Sequence, residues 1–385
     1  MAVATASLIV GWLVAAAPVQ LVVGLIPRWP VGGRRTSLAA RRPNDVRAAT
    51  ANVSTDSGSR TAIVALHGRA QSRRLWDGPD FLAPRLLQAI VTDAAVPGRG
   101  VAAALSLGGA LSRAGFALTG GRVVAEDLAA RAATLGSTGL VAPLHCRTRW
   151  LDDCVKTFLA ERRQRDGDGD GPGGNLIVLG AGYDTRCHRF RKELARAGVR
   201  GYEVDAPGTQ ATKRRALRRA GVVRADDGVA YCGCDFATED WLDALARRGG
   251  SFDPALPTLV LWEGVTMYLP EEAVARTLAT ASGAAETHGG DWRVAFDYLS
   301  AEWAMSAPWR RVMGLAGEPF QFAVAGSDEE ETRRKIEDLV TSCGLTVLEH
   351  YSNGRDIDER YLPPQGALRL SAFGNYGGFV VARTP

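Results

Sequence analysis

From Leu176 to Ala382, short apolar runs alternate with amphipathic stretches, and this alternation constrains the fold more than any other feature of the chain. The runs are Leu176 to Leu179, Gly201 to Val204, a third ending before Cys234, Thr258 to Trp262, Arg293 to Tyr298, Leu345 to His350 and Gly378 to Ala382. Between them the spacing predicts helices over Arg186 to Ala197 and Gln210 to Ala220, one capped by Thr238 and carrying Trp241, Leu242 and Leu245, one with Pro270 at its first position, and Thr332 to Ser342 stopped by Gly344. A strand that is apolar at every position is buried on both faces. The alternation therefore means a doubly wound α/β fold, a mostly parallel sheet with helices on each side.

Such a sheet needs a large core, and 46% hydrophobic residues in a chain of 385 supply one. The formal net charge is only +4, and arginine dominates the basic residues, with lysines scattered singly at 156, 192, 213 and 335. Nothing in that pattern forms a phosphate-binding stripe, so no nucleic-acid partner is expected. Six cysteines without a paired CxxC motif suggest neither a disulfide scaffold nor a zinc site, and no metal is expected.

Upstream of the alternation the signals are weaker. Thr61 to Leu66 reads as a strand, Asp80 to Thr92 and Val101 to Phe116 as helices, and Trp150 to Glu161 as a helix with Leu151, Val155, Phe158 and Leu159 on one face. Ser7 to Pro27 is almost wholly apolar and is followed by Arg28, Arg34, Arg35, Arg41 and Arg42, with no acid before Asp45. Three readings stay open for this segment: a membrane anchor through residues 7–27 with a cytoplasmic basic flank, an organellar transit peptide, or a buried helix. The first two make the protein membrane-associated or organellar. The division that follows is 1–45 for the anchor or targeting segment, 46–97 for a linker and unassigned extension, and 98–385 for the domain that holds the α/β alternation. An Asp/Gly-rich spacer at 166–174 imitates a calcium loop, but its twelfth position is Ile177 where a bidentate Glu is required.

In doubly wound sheets ligands bind beyond the carboxyl ends of the strands. The first such loop is Gly180-Ala181-Gly182-Tyr183-Asp184-Thr185-Arg186, whose two glycines allow close backbone approach to a ligand. A dinucleotide fingerprint needs a third glycine where this chain has Thr185, which argues against NAD or FAD and leaves a nucleoside without a pyrophosphate. Asp205 ends the second strand, where an acid can accept hydrogen bonds from ribose hydroxyls. Asp235 and Phe236 follow the third, suited to an adenine edge and face, and Glu263 follows the fourth.

Together with Arg147-Thr-Arg-Trp-Leu-Asp-Asp153, Pro257 to Pro270 and Gly317-Glu-Pro-Phe320, these motifs resemble the leucine carboxyl methyltransferase family, especially its bacterial-type branch, over roughly residues 100 to 383. The resemblance implies a class I methyltransferase fold of seven strands, with an antiparallel C-terminal strand and an N-terminal helical lid. It implies S-adenosyl-L-methionine as cofactor, held by Arg147, Gly180, Gly182, Asp205, Asp235, Phe236 and Glu263. Arg147 falls where the family binds the cofactor carboxylate, and Glu263 beside its methionine part. An acid there would favour the positive sulfonium over the neutral product. The basic residue of the family's first conserved helix has only Arg113 as a stand-in. Arg186 and Tyr268 are candidates to orient the acceptor, although Arg186 can equally pair with Asp184 and hold the loop.

The acceptor implied is a carboxylate oxygen of a small molecule; a protein C-terminal leucine carboxylate and a non-catalytic binding module are the alternatives. A serine hydrolase built on His67-Gly68 and Ser106 is remote, because position 104 is alanine where the nucleophile elbow needs glycine.

Overall fold

The computed structural model describes residues 59–96, 99–121, 141–165, 173–223, 227–236, 238–304, 318–352, 354–362 and 377–385. The apolar segment 7–27, the polar linker up to residue 58, most of the Asp/Gly spacer and Gly317 lie outside the described residues. Three helices come first: α1 (Arg60–Trp76), α2 (Ala83–Val91) and α3 (Arg99–Leu118). The long α4 (Val141–Arg165) leads into the sheet unit. There β1 (Gly174–Leu179), α5 (Arg186–Arg189), α6 (Arg191–Arg196), β2 (Val199–Asp205), α7 (Pro207–Arg219), β3 (Val229–Gly233), α8 (Trp241–Arg248) and β4 (Thr258–Trp262) follow. A single turn of 3-10 helix (Thr266–Tyr268) precedes α9 (Glu271–His288), β5 (Trp292–Leu299), α10 (Ala301–Ala304), α11 (Glu329–Ser342), β6 (Thr346–Tyr351), α12 (Gly354–Tyr361) and β7 (Gly377–Arg383).

The seven strands lie in the order β3-β2-β1-β4-β5-β7-β6. All pairs from β3 to β5 are parallel, and β7 runs antiparallel between β5 and β6. The doubly wound reading and the antiparallel last strand both hold. Since β1 is flanked by β2 on one side and β4 on the other, the chain reverses its direction of winding there, which opens a crevice at the carboxyl ends of these strands.

Alternation along the strands builds two cores. Ile177, Leu179, Val260, Trp262, Val294 and Phe296 face α8, α9 and α11. Leu176, Val178, Leu259, Leu261 and Ala295 face α4, whose Trp150 stacks on Phe379 at 4.5 Å between ring centroids. A third cluster joins Ile63, Leu66 and Ala70 of α1 to Leu86, Leu87 and Ile90 of α2, Leu217 of α7 and Tyr183 of the first loop. The extension before residue 98 thus packs directly on the glycine turn.

Several local expectations are corrected. Thr61 to Leu66 is not a strand but the opening of α1; its β-branched residues suggested extended backbone, yet Ile63, Leu66 and Ala70 continue at helical spacing and the Ser59 hydroxyl caps the Ala62 N–H. His67, read as an oxyanion turn, is therefore buried mid-helix, and Ser106 lies within α3. The single helix expected over Arg186 to Ala197 breaks at Phe190. Pro270 precedes its helix as the cap, one residue earlier than expected. Asp240, not Thr238, caps α8, accepting hydrogen bonds from Leu242 N and Asp243 N at 2.9 and 3.0 Å. Asp240→Ala is expected to cost about 1 kcal/mol, measured as a lowered urea midpoint with unchanged slope, while Thr238→Ala leaves the midpoint in place.

Candidate functional site

The turn after β1 shows why glycine is required there. Gly180 has φ +61°, and a Cβ on it would lie 2.4 Å from Val265 Cγ2. Gly180 N and Ala181 N donate to Val204 O at 2.8 and 3.2 Å, which ties the loop to the end of β2. Gly182, at φ +44°, donates its N–H to Asp205 Oδ2, and Ala206 N donates to Asp205 Oδ1 at 2.6 Å. Burial pushes the Asp205 carboxyl up to about 6, against the pull of these two N–H groups. The first two strand ends are thereby locked into one surface of backbone amides and a single carboxylate.

Beside this surface Glu263, just past β4, collects three arginines from three elements. Arg186 Nη1 donates to Glu263 Oε2 at 2.5 Å, Arg147 Nε donates to Oε1 at 2.9 Å, and Arg69 Nη1 lies 3.7 Å from Oε1. All four side chains are buried at 6% exposure or less. Burial alone would raise the Glu263 carboxyl; Arg186, Arg147 and Arg69 instead hold it far below the usual carboxylate range. Each arginine has further acids. Arg147 Nη1 donates to Asp297 Oδ2 at 2.8 Å, and Gly264 N donates to Asp297 Oδ1 at 2.6 Å. Burial raises the Asp297 carboxyl, with Arg147 the main force opposing it. Arg186 Nε donates to Asp152 Oδ1 at 2.9 Å, and its Nη1 also pairs with Asp184. Arg189 clasps the same Asp152 through two hydrogen bonds of 2.7 Å. Arg69 donates to Tyr183 O at 2.8 Å and faces Asp80 at 3.2 Å.

The structure thus brings Arg147, Gly180, Gly182, Asp205 and Glu263 to one end of the sheet. Asp235 and Phe236 follow β3 at the neighbouring strand end, half-buried, with Phe236 packed against the core. Arg186 is 1% exposed and fully engaged by acids, so its geometry favours the loop-holding alternative over contact with an acceptor. Tyr268 is half-buried on the turn after Glu263, with its ring 5.6 Å from that of Phe320. Glu263 does not stand as a lone acid facing a sulfonium; its charge is compensated by the three arginines. Arg113 lies elsewhere, donating to Gln71 Oε1 and Gly109 O at 2.6 and 2.9 Å, and the basic residue contributed by the first helix is Arg69. Arg69 and Asp297 were missed from sequence. Asp297 had a readable signal, a lone acid in the apolar run of β5.

The amino end of α1 lies over the glycine turn. A Cβ on Gly182 would sit 3.2 Å from Ala62 Cβ, and Glu318 accepts hydrogen bonds from the hydroxyls of Ser59 (3.2 Å) and Thr61. The expected helical lid is thus begun by α1, which holds Arg69 inside the site.

A model of the leucine carboxyl methyltransferase family matches residues 60–282, more than half of the chain. The chain belongs to this family. Relatives of this leucine carboxyl methyltransferase homologue include a protein of Mycolicibacterium gilvum provisionally named an S-adenosyl-L-methionine-dependent methyltransferase, 33% identical over 46% of this chain and 53% of its own length. A protein of Saccharopolyspora erythraea with the same provisional name is 43% identical over 27% of this chain and 34% of its own. The chain spans about half or less of the length of these relatives. Among solved structures, a DUF574 family protein from Streptomyces avermitilis covers 78% of this chain and 96% of its own, at 14% identity and a TM-score of 0.43.

Proposed function

We propose that the protein is an S-adenosyl-L-methionine-dependent methyltransferase acting on an oxygen, a carboxylate, of a small molecule. The observation that carries this reading is the glycine turn hydrogen-bonded to Asp205 at the point where the sheet reverses its winding. The residues suit the cofactor. The positive φ at Gly180 and Gly182 leaves backbone where a side chain would otherwise stand, and each Asp205 oxygen, already holding one N–H, keeps acceptor capacity for a ribose hydroxyl. When bound, the cofactor supplies an electrophilic methyl group on a positive sulfonium.

The chain's own residues supply position. Asp205 takes the ribose, Asp235 and Phe236 take the adenine, and Arg147 takes the cofactor carboxylate, its guanidinium plane set by Glu263 and Asp297. A carboxylate acceptor is ionised at neutral pH and needs no general base, which accords with a site of fixed ion pairs rather than of a poised histidine or thiol. In this reading Tyr268, whose ring lies 5.6 Å from that of Phe320, orients it. Residues 7–27 serve location in this reading and not the chemistry.

Asp205 supplies a test with a defined sign. Its carboxyl, raised to about 6 in the folded protein, is ionised above that pH and protonated below it. Affinity for S-adenosylhomocysteine is therefore expected to fall as pH drops through about 6, because the protonated form accepts fewer hydrogen bonds. Stability without ligand moves the other way: the folded state binds this proton more tightly than the unfolded chain, so this group favours folding as pH falls toward about 4. Calorimetric titrations across this range check the first trend. Asp205→Asn should abolish it, and Asp205→Ala should weaken binding by about 1.5 to 3 kcal/mol.

The reading as a whole is tested by labelled methyl transfer from S-adenosyl-L-methionine into fractionated extract. A base-labile, small-molecule product is expected. Label in protein C-termini would move the acceptor to the leucine carboxylate alternative, and no transfer with intact cofactor binding would leave a binding module.

A further inference from the structure

Helix α3 is built inside out. Its buried residues are small: Ala102, Gly108, Gly109 and Ser112. They press it against α1 so closely that a Cβ on Gly109 would lie 2.3 Å from Gln71 Nε2. Leu105 alone of its leucines packs on the cluster formed by α1 and α2; Leu107, Leu111 and Leu118 point the other way, exposed by 64%, 47% and 88%. Every exposed position from 103 to 118 is alanine or leucine. A helix on a water-facing surface ordinarily turns its polar residues outward and its leucines in. Small residues against a neighbouring helix and leucines outward is the arrangement of a helix bathed in lipid. Among the described residues, α3 is also the one helix long and apolar enough to cross a membrane. Its packing on α1 fixes it along the protein surface instead.

The helices that α3 packs against carry a cluster of positive charge. Arg74 of α1, Arg85 of α2 and Arg219 of α7 are exposed and line one shallow groove with Gln88 and Thr92. Arg74 lies close enough to Arg113 of α3 for that charge, after burial, to depress its own ionisation. From residue 59 to 121 the acids are Asp77, Asp80 and Asp93, and only Asp77 is exposed. A second copy placed on this face would bring like charges together, whereas an anionic lipid surface offers hydrocarbon to the leucines and phosphates to the arginines. We propose that the outward face of α3, with the arginine-lined groove beside it, lies in the interface of an anionic lipid membrane. This assignment is independent of the methyl-transfer reading and of residues 7–27.

Hydrogen exchange on the full chain tests it, because the readout is local. With vesicles of phosphatidylcholine and phosphatidylglycerol in equal parts, exchange over 99–118 is expected to slow by about tenfold. Leu107→Glu with Leu111→Glu should abolish that protection even if residues 7–27 still carry the protein to the vesicle. S-adenosylhomocysteine affinity in that variant should stay unchanged. Arg74→Glu with Arg85→Glu should weaken the protection. Unchanged exchange of α3 on vesicles would overturn the proposal, as would protection that grows with protein concentration in their absence, which would mean a second copy. Equal protection on pure phosphatidylcholine would overturn the part given to the arginines.

Discussion

Glu263→Ala is expected to destabilise the protein by about 3 to 5 kcal/mol, the cost of removing one member of a buried ion cluster and leaving the others uncompensated. Three guanidinium groups converge on this carboxylate from α1, α4 and α5. Removing it leaves Arg69 facing Asp80 and Arg147 facing Asp297, but it deletes the one acid that, among the described residues, these three share. Since the carboxyl is held far below its usual range, it stays charged at any pH where the fold is stable, so the loss should be independent of pH between about 5 and 8. Glu263→Gln preserves shape and hydrogen bonding while removing the charge, and should recover only part of the stability. Denaturant midpoints for the two variants, with and without S-adenosylhomocysteine, separate the charge from the shape. A wild-type midpoint for Glu263→Ala would refute the central role assigned to this residue.

Gly180→Val should abolish cofactor binding and lower stability by about 2 to 5 kcal/mol, from a β-branched residue held at positive φ and from overpacking against Val265. The two causes can be separated. Gly180→Ala keeps the unfavourable φ with a smaller clash, and adding Val265→Ala removes the atom that a new Cβ would meet. The double variant should regain the packing share but not the backbone share. If Gly180→Ala alone bound S-adenosylhomocysteine like wild type, close backbone approach at this turn would not be what the cofactor needs.

The sheet was legible because its central strands are short runs of nearly continuous apolar residues, as at Leu176 to Leu179 and Leu259 to Trp262, set between amphipathic stretches of helical spacing. The strand-end residues were legible with it, since knowing where β1, β2 and β4 stop locates Gly180, Asp205 and Glu263. What was not legible was pairing. Nothing in the order of residues says that Arg69 reaches Glu263 across 194 positions, because the contact depends on how α1 crosses the glycine turn. The opening of α1 was misread for a local reason: Thr61, Ile63 and Val64 favour extended backbone, and the cap at Ser59 and the packing of Ile63 and Leu66 override that preference. Arg186 was read as either an acceptor ligand or a loop brace, and the ion pairs with Asp152 and Glu263 that favour the brace are not visible in the order of residues.

Under the proposed methyl-transfer reading, the attachment of α1 bears on how a product would leave. The helix is fastened at its amino end by the Ser59 and Thr61 hydroxyls on Glu318, and more than two turns later by Arg69 on Glu263 and Tyr183 O. The first fastening is half-buried, neutral-to-charged and at the rim; the second is deep and ionic. A cover held in this way does not swing as a rigid flap, because that would expose a guanidinium cluster to be resolvated all at once. The rim end, where Ala62 lies over Gly182, is the end that costs less to release. On that reading, release would be governed by the fraying of about one helical turn, held by the Ser59 and Thr61 hydroxyls on Glu318 and by Ser59 N on Thr209 Oγ1, none of them a residue assigned to the cofactor.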